Sequence, residues 1–316
     1  MRTRRMLRAG LALLLVLASV LPAARGQTTE PTRFTVQELA PGVFAVLDRE
    51  GRAGANAGFV IGADAVAVID SFFHEDAARE LLAHIRTQTA RPIRYLINTH
   101  HHIDHVAGNA VFVKAGAQLV AHARVADWQR SENLRLLGPR LTPALRERIG
   151  QLPEPQLLVQ AAMSLDLGGG RQLLLRHWPG HTGGDLVVQV SDAPVRFLGD
   201  LLWQAAIPNL VDARPAAWRA TLASLAAESS PALWYVPGHG APARVQALLD
   251  LADYLAALEQ AVREAGTDAE RAVAQLKPRF GHWAFFRGLA PANVRDQQAE
   301  LEGRKRVPGE PGPTSP

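Results

Sequence analysis

Residues 99–109 read Thr-His-His-His-Ile-Asp-His-Val-Ala-Gly-Asn and place four of the chain's eleven histidines and one aspartate within six residues. Imidazole and carboxylate groups are the ligands that zinc and similar divalent metals prefer in proteins. Alternate side chains of an extended segment point the same way, so His100, His102 and Asp104 can converge on one side. A polar loop or a cloning tag is the alternative, but a tag lies at a terminus and lacks the interleaved aspartate. Because His105 faces elsewhere and can serve a second ion, the stretch predicts one loop that supplies ligands to two metal sites.

The chain has 316 residues, of which 47% are hydrophobic and 20% charged, as expected for one large globular domain or two small ones. Its N-terminus carries four early arginines, an apolar run over 11–21 that is short for a bilayer span, and small residues at 24 and 26. Residues 1–26 are therefore predicted to be a cleaved signal peptide, with an uncleaved anchor as the alternative. A cleaved signal predicts a periplasmic or secreted protein without stable membrane insertion.

The net charge of +4 comes from this N-terminal segment, because residues 1–26 contain five arginines and no acidic residue and leave −1 on the rest. No later basic patch with interleaved aromatic residues is present, so nucleic acid is not an expected partner. The chain contains no cysteine, which excludes disulfides, thiolate metal ligands, a cysteine nucleophile and a lipoprotein anchor. Histidine and carboxylate ligands must therefore hold any metal.

Strand-like and helix-like segments alternate along the chain. The predicted strands are Val43–Leu47, Gly58–Ile61, Val66–Ile69, Ile93–Ile97, Gln118–Ala121, Ser164–Leu167, Gln172–His177, Leu186–Val190, Val195–Leu198 and Leu233–Val236. The predicted helices are Glu75–Gln88, Gly108–Lys114, residues 122–150 with a break near Gly138, Ala216–Ala227 and Ala243–Ala265. Residues 35–302 are predicted to form an α/β domain, an αββα sandwich of two mixed β-sheets with helices on both outer faces. Residues 303–316, which contain four prolines and three glycines, are predicted to be a disordered tail.

Three further segments place a candidate ligand after a predicted strand. They are Trp-Pro-Gly-His-Thr-Gly-Gly-Asp at 178–185 with His181, Leu-Gly-Asp at 198–200 with Asp200, and Pro-Gly-His-Gly at 237–240 with His239. Flanking glycine and proline residues let each segment turn sharply and present one side chain inward. Rigid strand ends fix the geometry of such ligands, so we expect these three residues to complete the metal sites.

The His-x-His-x-Asp-His motif at 100–105, followed in order by these three residues, resembles the metallo-β-lactamase-fold hydrolase superfamily. The resemblance implies a first metal bound by His100, His102 and His181, a second bound by Asp104, His105 and His239, and Asp200 as the bridging carboxylate. It also implies that Asp104 and His239 act in catalysis, with Asp104 orienting the attacking hydroxide. Two zinc ions per chain are the expected cofactors, with iron or manganese as alternatives.

Differences from known subfamilies narrow the expected reaction. His102 stands where flavin-linked diiron members carry glutamate, which favours hydrolysis over redox work. Asp200 stands where B1 β-lactamases carry cysteine, B3 enzymes lack the bridging aspartate, and glyoxalase-II-type thioesterases and lactonases share it. The run 199–202, together with Ile207-Pro208, Asp212 and Trp218, is similar to exported zinc metallohydrolases associated with quinoprotein or sulfur-oxidation systems.

The predicted function is an exported dinuclear zinc hydrolase of the β-lactamase-like kind. Three imidazoles leave zinc one open position, and a metal-bridged hydroxide would attack a carbonyl. The expected partner is a small molecule with a hydrolysable carbonyl, such as a β-lactam, ester or lactone. The alternatives are a non-catalytic metal-binding accessory protein of a periplasmic quinoprotein or oxidase system, a thioesterase of the glyoxalase II type, and a phosphoesterase. The oligomeric state stays open.

Other residues are expected to support the site. Asp70, Thr182 and Asp185 are expected to hydrogen-bond the ligands or their loops, because a metal-bound histidine usually donates its second N–H to a partner. His101 is expected to line the pocket wall. Candidates for binding a substrate carboxylate are Asn209, Arg214 and Arg287, with a surface or structural role as the alternative.

Overall fold

The computed structural model describes residues 32–308, so the predicted signal peptide at 1–26 and residues 309–316 of the predicted tail lie outside the described part. The strands are β1 (Phe34–Ala40), β2 (Val43–Asp48), β3 (Ala57–Ile61), β4 (Val66–Ile69), β5 (Ile93–Ile97), β6 (Gln118–His122), β7 (Leu157–Val159), β8 (Ala162–Asp166), β9 (Gln172–His177), β10 (Leu186–Val190), β11 (Val195–Trp203) and β12 (Trp234–His239). The helices are α1 (Glu75–Gln88), α2 (Ile103–Val106), α3 (Asn109–Lys114), α4 (Ala123–Leu137), α5 (Pro143–Gly150), α6 (Pro215–Ala227), α7 (Gln246–Ala265), α8 (Ala269–Phe280) and α9 (Phe286–Leu301). A short 3-10 turn over Gly138–Arg140 separates α4 from α5, at the predicted break.

Two mixed β-sheets form the centre of the domain. The first has the strand order β1-β2-β3-β4-β5-β6-β7, antiparallel from β1 to β4 and parallel from β4 to β7. The second has the order β12-β11-β10-β9-β8, in which only β11 and β12 are parallel. Parallel neighbours end at the same edge of a sheet. The segments that follow β4 and β5 therefore lie side by side, as do the ends of β11 and β12.

Apolar side chains divide the domain into layers. Between the sheets, Ala45, Val60 and Ile97 of the first sheet pack with Leu175 and Val188 of the second. Helices α1 and α3 cover the outer face of the first sheet, and α6, α7, α8 and α9 cover the outer face of the second. This arrangement confirms the predicted α/β fold with two mixed sheets and helices on both outer faces.

Strand β11 extends further than its sequence pattern predicts. The expected end at Leu198 is wrong, because the strand continues to Trp203. Gly199 has a φ of +51°, and the register between β11 and β12 shifts around it, so a bulge carries the strand through the Gly-Asp segment. Asp200 therefore projects from within a strand and not from a loop after it.

Five elements, β1, β7, α2, α8 and α9, have no counterpart among the predicted segments. Helices α8 and α9 contain Pro278 and Pro291, and an internal proline normally indicates a helix end. The expectation of disorder is also wrong for residues 303–308. In this segment Lys305 and Val307 are buried, with 8% and 4% of their surfaces exposed.

Within residues 32–308, none of the helices combines the length and apolar composition that a membrane span requires.

Gly58 in β3 lies directly against Phe197 of the facing sheet. A Cβ atom on Gly58 would lie 2.2 Å from Cε1 of Phe197 in β11, well inside contact distance. Phe197 is buried in the layer between the sheets, so its ring has little room to move aside. The glycine therefore permits the spacing of the sheets at this point.

Replacing Gly58 with Ala is expected to lower the free energy of unfolding by about 1–3 kcal/mol, because the added methyl group overpacks a filled core. Combining it with Phe197→Leu should cost less than the sum of the two single substitutions, since the smaller side chain vacates the contested space. Urea denaturation of the metal-free protein and its three variants measures this coupling. Strictly additive losses would show that the two residues do not compete for space.

Candidate metal centre

The edge where β4, β5, β11 and β12 end gathers all seven sequence-predicted ligands. His100 and His102 follow β5, and Asp104 and His105 lie in α2 directly after them. His181 lies in the loop between β9 and β10. Asp200 and His239 come from the parallel pair β11 and β12. Backbone hydrogen bonds join the segments, including Leu186 N to Thr99 O at 2.8 Å and Asn56 N to Gly238 O at 2.8 Å.

One group of donor atoms comprises three histidines and one carboxylate. His181 Nε2 lies 2.9 Å from His102 Nδ1 and 3.2 Å from Asp200 Oδ2, and His100 Nε2 lies 3.7 Å from the same oxygen. The four side chains are buried. A tetrahedral ion with zinc-like bonds holds its ligand atoms about 3.4 Å apart, so these separations suit one ion.

A second group lies beside the first. His239 Nε2 and His105 Nε2 lie 3.3 Å and 3.7 Å from Asp104 Oδ2. The other oxygen of Asp200, Oδ1, lies 3.1 Å from His105 Nε2 and 3.6 Å from His239 Nε2. One carboxylate thus directs one oxygen to each group, which is the arrangement of a bridging ligand.

Several of the atoms that would bind a metal, in both groups, have no hydrogen-bond partner among the residues that the structure describes. They are His100 Nε2, His105 Nε2, His239 Nε2 and Asp200 Oδ1, all buried. Leaving a buried polar atom unpaired costs about 1–3 kcal/mol, so such a concentration is unfavourable without a ligand. Unpaired imidazole nitrogens and carboxylate oxygens at these distances fit divalent metal ions.

Asp70 holds one ligand of each group from behind. Its Oδ2 accepts hydrogen bonds from His105 Nδ1 at 2.9 Å and from Thr99 Oγ1 at 2.7 Å. Thr99 Oγ1 in turn lies 3.1 Å from His100 Nδ1, from which it can accept a hydrogen bond. This fixes the protons on Nδ1 of both rings and leaves each Nε2 lone pair free for a metal. Asp70 itself has a left-handed backbone with a φ of +58°.

Asp212 holds His102 in the same way from the opposite side. Its Oδ2 lies 3.1 Å from His102 Nε2, and its Oδ1 accepts a hydrogen bond from Arg135 Nη2 at 2.7 Å. Burial opposes charge on the ring, but the hydrogen bond and the negative charge of Asp212 outweigh it and raise the pKa of His102. The sequence gives no sign of the contact between Asp212 and His102, although Asp212 belongs to the run that resembles exported relatives.

His101 does not line the pocket wall, and that expectation is wrong. Its side chain is fully buried, with Nε2 3.2 Å from Asp212 Oδ2. Its carbonyl oxygen accepts a hydrogen bond from Asn133 Nδ2 at 2.7 Å. Because neighbouring side chains of the extended loop alternate, His101 points behind the site while His100 and His102 point into it.

Thr182 and Asp185 hydrogen-bond each other within the loop that carries His181, next to the ligand in the chain. Asp185 accepts hydrogen bonds from Thr182 N at 2.8 Å and from Thr182 Oγ1 at 2.5 Å. Burial outweighs these bonds and raises the pKa of Asp185 to about 7. His181 Nδ1 has no hydrogen-bond partner among the described residues, so Thr182 and Asp185 support the ligand's loop and not its ring.

The surroundings of three ligands, His100, His181 and Asp104, favour the form that binds a metal. Burial lowers the pKa of His100 and lowers the pKa of His181 to about 3, so both rings are neutral near pH 7 and keep a lone pair. Burial opposes ionisation of Asp104, but the neighbouring imidazoles of His105 and His239 outweigh it and lower the pKa of Asp104 to about 2. The carboxylate is therefore ionised and ready to act as a ligand.

Glycines make room for the bridging carboxylate. A Cβ atom on Gly238 would lie 1.9 Å from Asp200 Oδ1, and one on Gly199 would lie 2.3 Å from Thr99 Oγ1. The glycines that suggested sharp turns in the sequence therefore serve close approach of backbone and side chains at the site.

A cavity of about 140 Å³ opens beside the two groups. Its lining comprises His102, Ile103, Asp104, Asn133, Leu136, Leu137, Arg140, Asp200, Trp203 and Asn209. A separate cavity of about 360 Å³ is lined in part by His239 and Phe285. The Trp203 ring lies 3.9 Å from the His239 ring and 5.8 Å from the Phe285 ring, measured between centroids. We call these three rings the aromatic wall.

Only one of the three proposed carboxylate-binding candidates, Asn209, lines the cavity. Arg214 pairs with Glu300 at 2.7 Å, and Arg287 is exposed and does not line the cavity. Arg140, which the sequence did not single out, lines it instead. The Gly-Pro turn that was predicted as a helix break places Arg140 there.

Known proteins resemble this chain in both sequence and fold. A metallo-beta-lactamase from Pontibacter korlensis superposes with a TM-score of 0.59 at 21% identity, over 71% of this chain and 99% of that one, which shows the shared fold. The 2,4-dinitroanisole O-demethylase subunit alpha of Nocardioides sp. (strain JS1661) is 25% identical over 185 residues, which are 58% of this chain. The matched region spans 49% of that relative, about half its length. A family model described as the metallo-beta-lactamase superfamily matches residues 51–239, more than half of the chain. The chain therefore belongs to the metallo-beta-lactamase superfamily.

Proposed function

We propose that this protein is an exported dinuclear zinc hydrolase that cleaves a carbonyl substrate such as a β-lactam, an ester or a lactone. The observation that carries the proposal is the bridging geometry of Asp200, whose two oxygens face two separate groups of histidine nitrogens. Structural zinc sites usually use four ligands in one closed shell, whereas seven ligands that include a shared carboxylate are typical of a reactive centre. Export rests on the predicted signal peptide at 1–26 alone.

Each metal would be held by its own histidines and by Asp200. The first would bind His100, His102 and His181, and the second Asp104, His105 and His239. When bound, two such ions supply Lewis acidity and bring the pKa of a water molecule close to neutral. Cysteine is absent from the chain, so a water-derived nucleophile also agrees with the composition.

Asp104 is the ligand best placed to orient the attacking water molecule during hydrolysis. Its side chain is 29% exposed and lines the cavity, whereas that of Asp200 is 2% exposed. With its pKa near 2, Asp104 is ionised and can orient a water molecule through a hydrogen bond. His239 lies beside it, packed against Trp203, and contacts both aspartates at the second group.

The lining of the 140 Å³ cavity favours a small, partly apolar substrate that carries a negative charge. Leu136, Leu137 and Trp203 supply apolar surface, and the volume is below the roughly 300–1,000 Å³ of sites for drug-sized ligands. Arg140 makes no hydrogen bond or ion pair with any residue that the structure describes, so its guanidinium is available to a carboxylate. Asn209 uses its carbonyl oxygen to accept from Val211 N, which leaves its amide N–H groups for a ligand.

The aromatic wall favours a second candidate substrate, an aryl ether. Stacked and edge-to-face rings beside His239 suit an aromatic ring of a substrate. The name of the Nocardioides relative refers to O-demethylation of 2,4-dinitroanisole, so aryl methyl ethers belong in the substrate panel.

Replacing His102 with Ala is expected to reduce bound zinc from two equivalents to about one and to lower hydrolysis by at least about 100-fold, since one cation and its ligand sphere are lost. Elemental analysis and turnover of a chromogenic cephalosporin, 4-nitrophenyl acetate, a lactone, a glutathione thioester and 2,4-dinitroanisole measure this. The exposed His282→Ala is the matched control and should change neither quantity.

The wild-type result decides among the proposed functions. Two metals without turnover of any substrate would favour the accessory protein, and selective turnover of the thioester would favour the glyoxalase-II-type enzyme. Less than one metal ion per chain, in folded protein purified without a chelator, would contradict the metal centre itself.

Replacing Arg140 with Met is expected to raise KM for 4-acetoxybenzoate about tenfold and to leave KM for its methyl ester within about twofold. A charge-assisted hydrogen bond contributes about 1.5–3 kcal/mol, and only the first ester carries a carboxylate. Steady-state kinetics on the two esters measure the difference, with the exposed Arg146→Met as control. Equal losses on both esters would show that Arg140 does not recognise charge.

A further inference from the structure

The segment 303–308, which we call the C-terminal strap, folds back onto the domain after α9 ends. Gly303 has a φ of +67°, the left-handed conformation that commonly terminates a helix. The amides of Arg304 and Lys305 then donate to Ala299 O at 2.8 and 3.1 Å. Val307 is buried further along. The strap is therefore a packed part of the domain.

Lys305 inserts its ammonium group into the loop that carries Asp212. Its Nζ donates hydrogen bonds to Leu210 O at 2.6 Å and to Ala213 O at 2.7 Å. The side chain is buried, and burial lowers the pKa of Lys305, while the negative charge of nearby Asp296 opposes that shift. A buried lysine is costly unless its donors are paired, so these two carbonyl contacts hold both the lysine and the loop in place.

The two carbonyl groups flank Asp212 in the chain. Ala213 N donates back to Leu210 O at 3.0 Å, so residues 210–213 form a tight turn with Lys305 against its carbonyl side. Asp212 projects from this turn to His102 Nε2, at 3.1 Å. A displacement of the turn by about 1 Å would break that hydrogen bond, because such bonds weaken steeply beyond about 3.5 Å.

A second route joins the strap to the same carboxylate. Arg306 lies 3.4 Å from Glu132 Oε1, and the other oxygen of Glu132 accepts from Arg135 Nε at 2.5 Å. Arg135 donates to Asp212 Oδ1. Asp212 is thus fixed through its backbone by Lys305 and through its side chain by the pairs that lead to Arg306.

The second ligand group is supported differently. His105 is held by Asp70, which follows β4 in the other sheet. Among the described residues, no hydrogen bond joins the strap or the turn at 210–213 to Asp104, His105 or His239.

We propose that the C-terminal strap positions Asp212, and that Lys305 is a positioning residue for the first metal, the one held by His100, His102 and His181. This inference rests on the proposed metal centre. According to this proposal, the strap raises the metal affinity of the first site and leaves that of the second site unchanged. Hydrogen-bond partners of metal ligands typically change metal affinity 10- to 100-fold, which sets the size of the expected effect.

Replacing Lys305 with Met is expected to weaken zinc binding at one site at least about tenfold and to leave the other within about twofold. Competition with a chromogenic chelator resolves the two affinities, and Co²⁺ spectra of the loaded protein identify the site that changes. The exposed Lys277→Met is the matched control and should match the wild type. Arg306→Gln, at an exposed position, should weaken the same site by a smaller factor. It provides a second test of the proposal if the Lys305→Met protein misfolds.

A double-mutant cycle tests whether Lys305 acts through Asp212. Asp212→Asn alone should weaken the first site, and adding Lys305→Met should produce no further loss of affinity. Thermal unfolding of the metal-free proteins reports stability separately from metal binding.

Three results would overturn the inference. A lower Tm of the metal-free Lys305→Met protein with unchanged affinities would make the strap a purely structural element. Equal weakening of both sites would show general support of the fold. Fully additive losses in the cycle would show that Lys305 does not act through Asp212. A wild-type protein that binds no zinc or Co²⁺ would contradict the proposed function itself and is thereby distinguished from these.

Discussion

The gathering of five imidazoles and two carboxylates, most of them buried, within a few ångströms of one another is the constraint on which the rest of the structure depends. Four of their donor atoms have no hydrogen-bond partner among the described residues, so the cluster is unfavourable until cations fill it. The protein must therefore hold these side chains in place against their own repulsion and desolvation. It does so by attaching every one of them to, or directly after, a strand of two packed sheets.

Two buried aspartates behind the ligands complete this support. Asp70 orients His100 through Thr99 and orients His105 directly, while Asp212 orients His102. Each carboxylate fixes which ring nitrogen carries the proton and so which one faces a metal. Asp70 is close in sequence to the strands of the site, whereas Asp212 lies in a loop that is itself fixed by the C-terminal strap and by Arg135.

The sequence predicts the fold and the ligand cluster well, because both depend on residue types in a fixed order. Strands such as Val66–Ile69 and Ile93–Ile97 have the predicted bounds, and all seven predicted ligands come together. The errors have physical causes. Gly199 suggests a turn but forms a bulge within β11. A proline inside each of α8 and α9 kept the sequence pattern from indicating these two helices. Lys305 lies in a segment whose composition is typical of disordered chain, and only the structure shows its contacts with backbone carbonyls.

The contact between Gly238 and Asp200 has a consequence for how this site can evolve. The space of a missing Cβ at position 238 is occupied by the bridging carboxylate, only 1.9 Å away. A lineage that shortens the side chain at position 200 opens a void that a larger residue at position 238 can fill, and reversion then requires both changes together. The two positions should therefore covary among descendants of this fold, so that loss of the bridge becomes difficult to reverse.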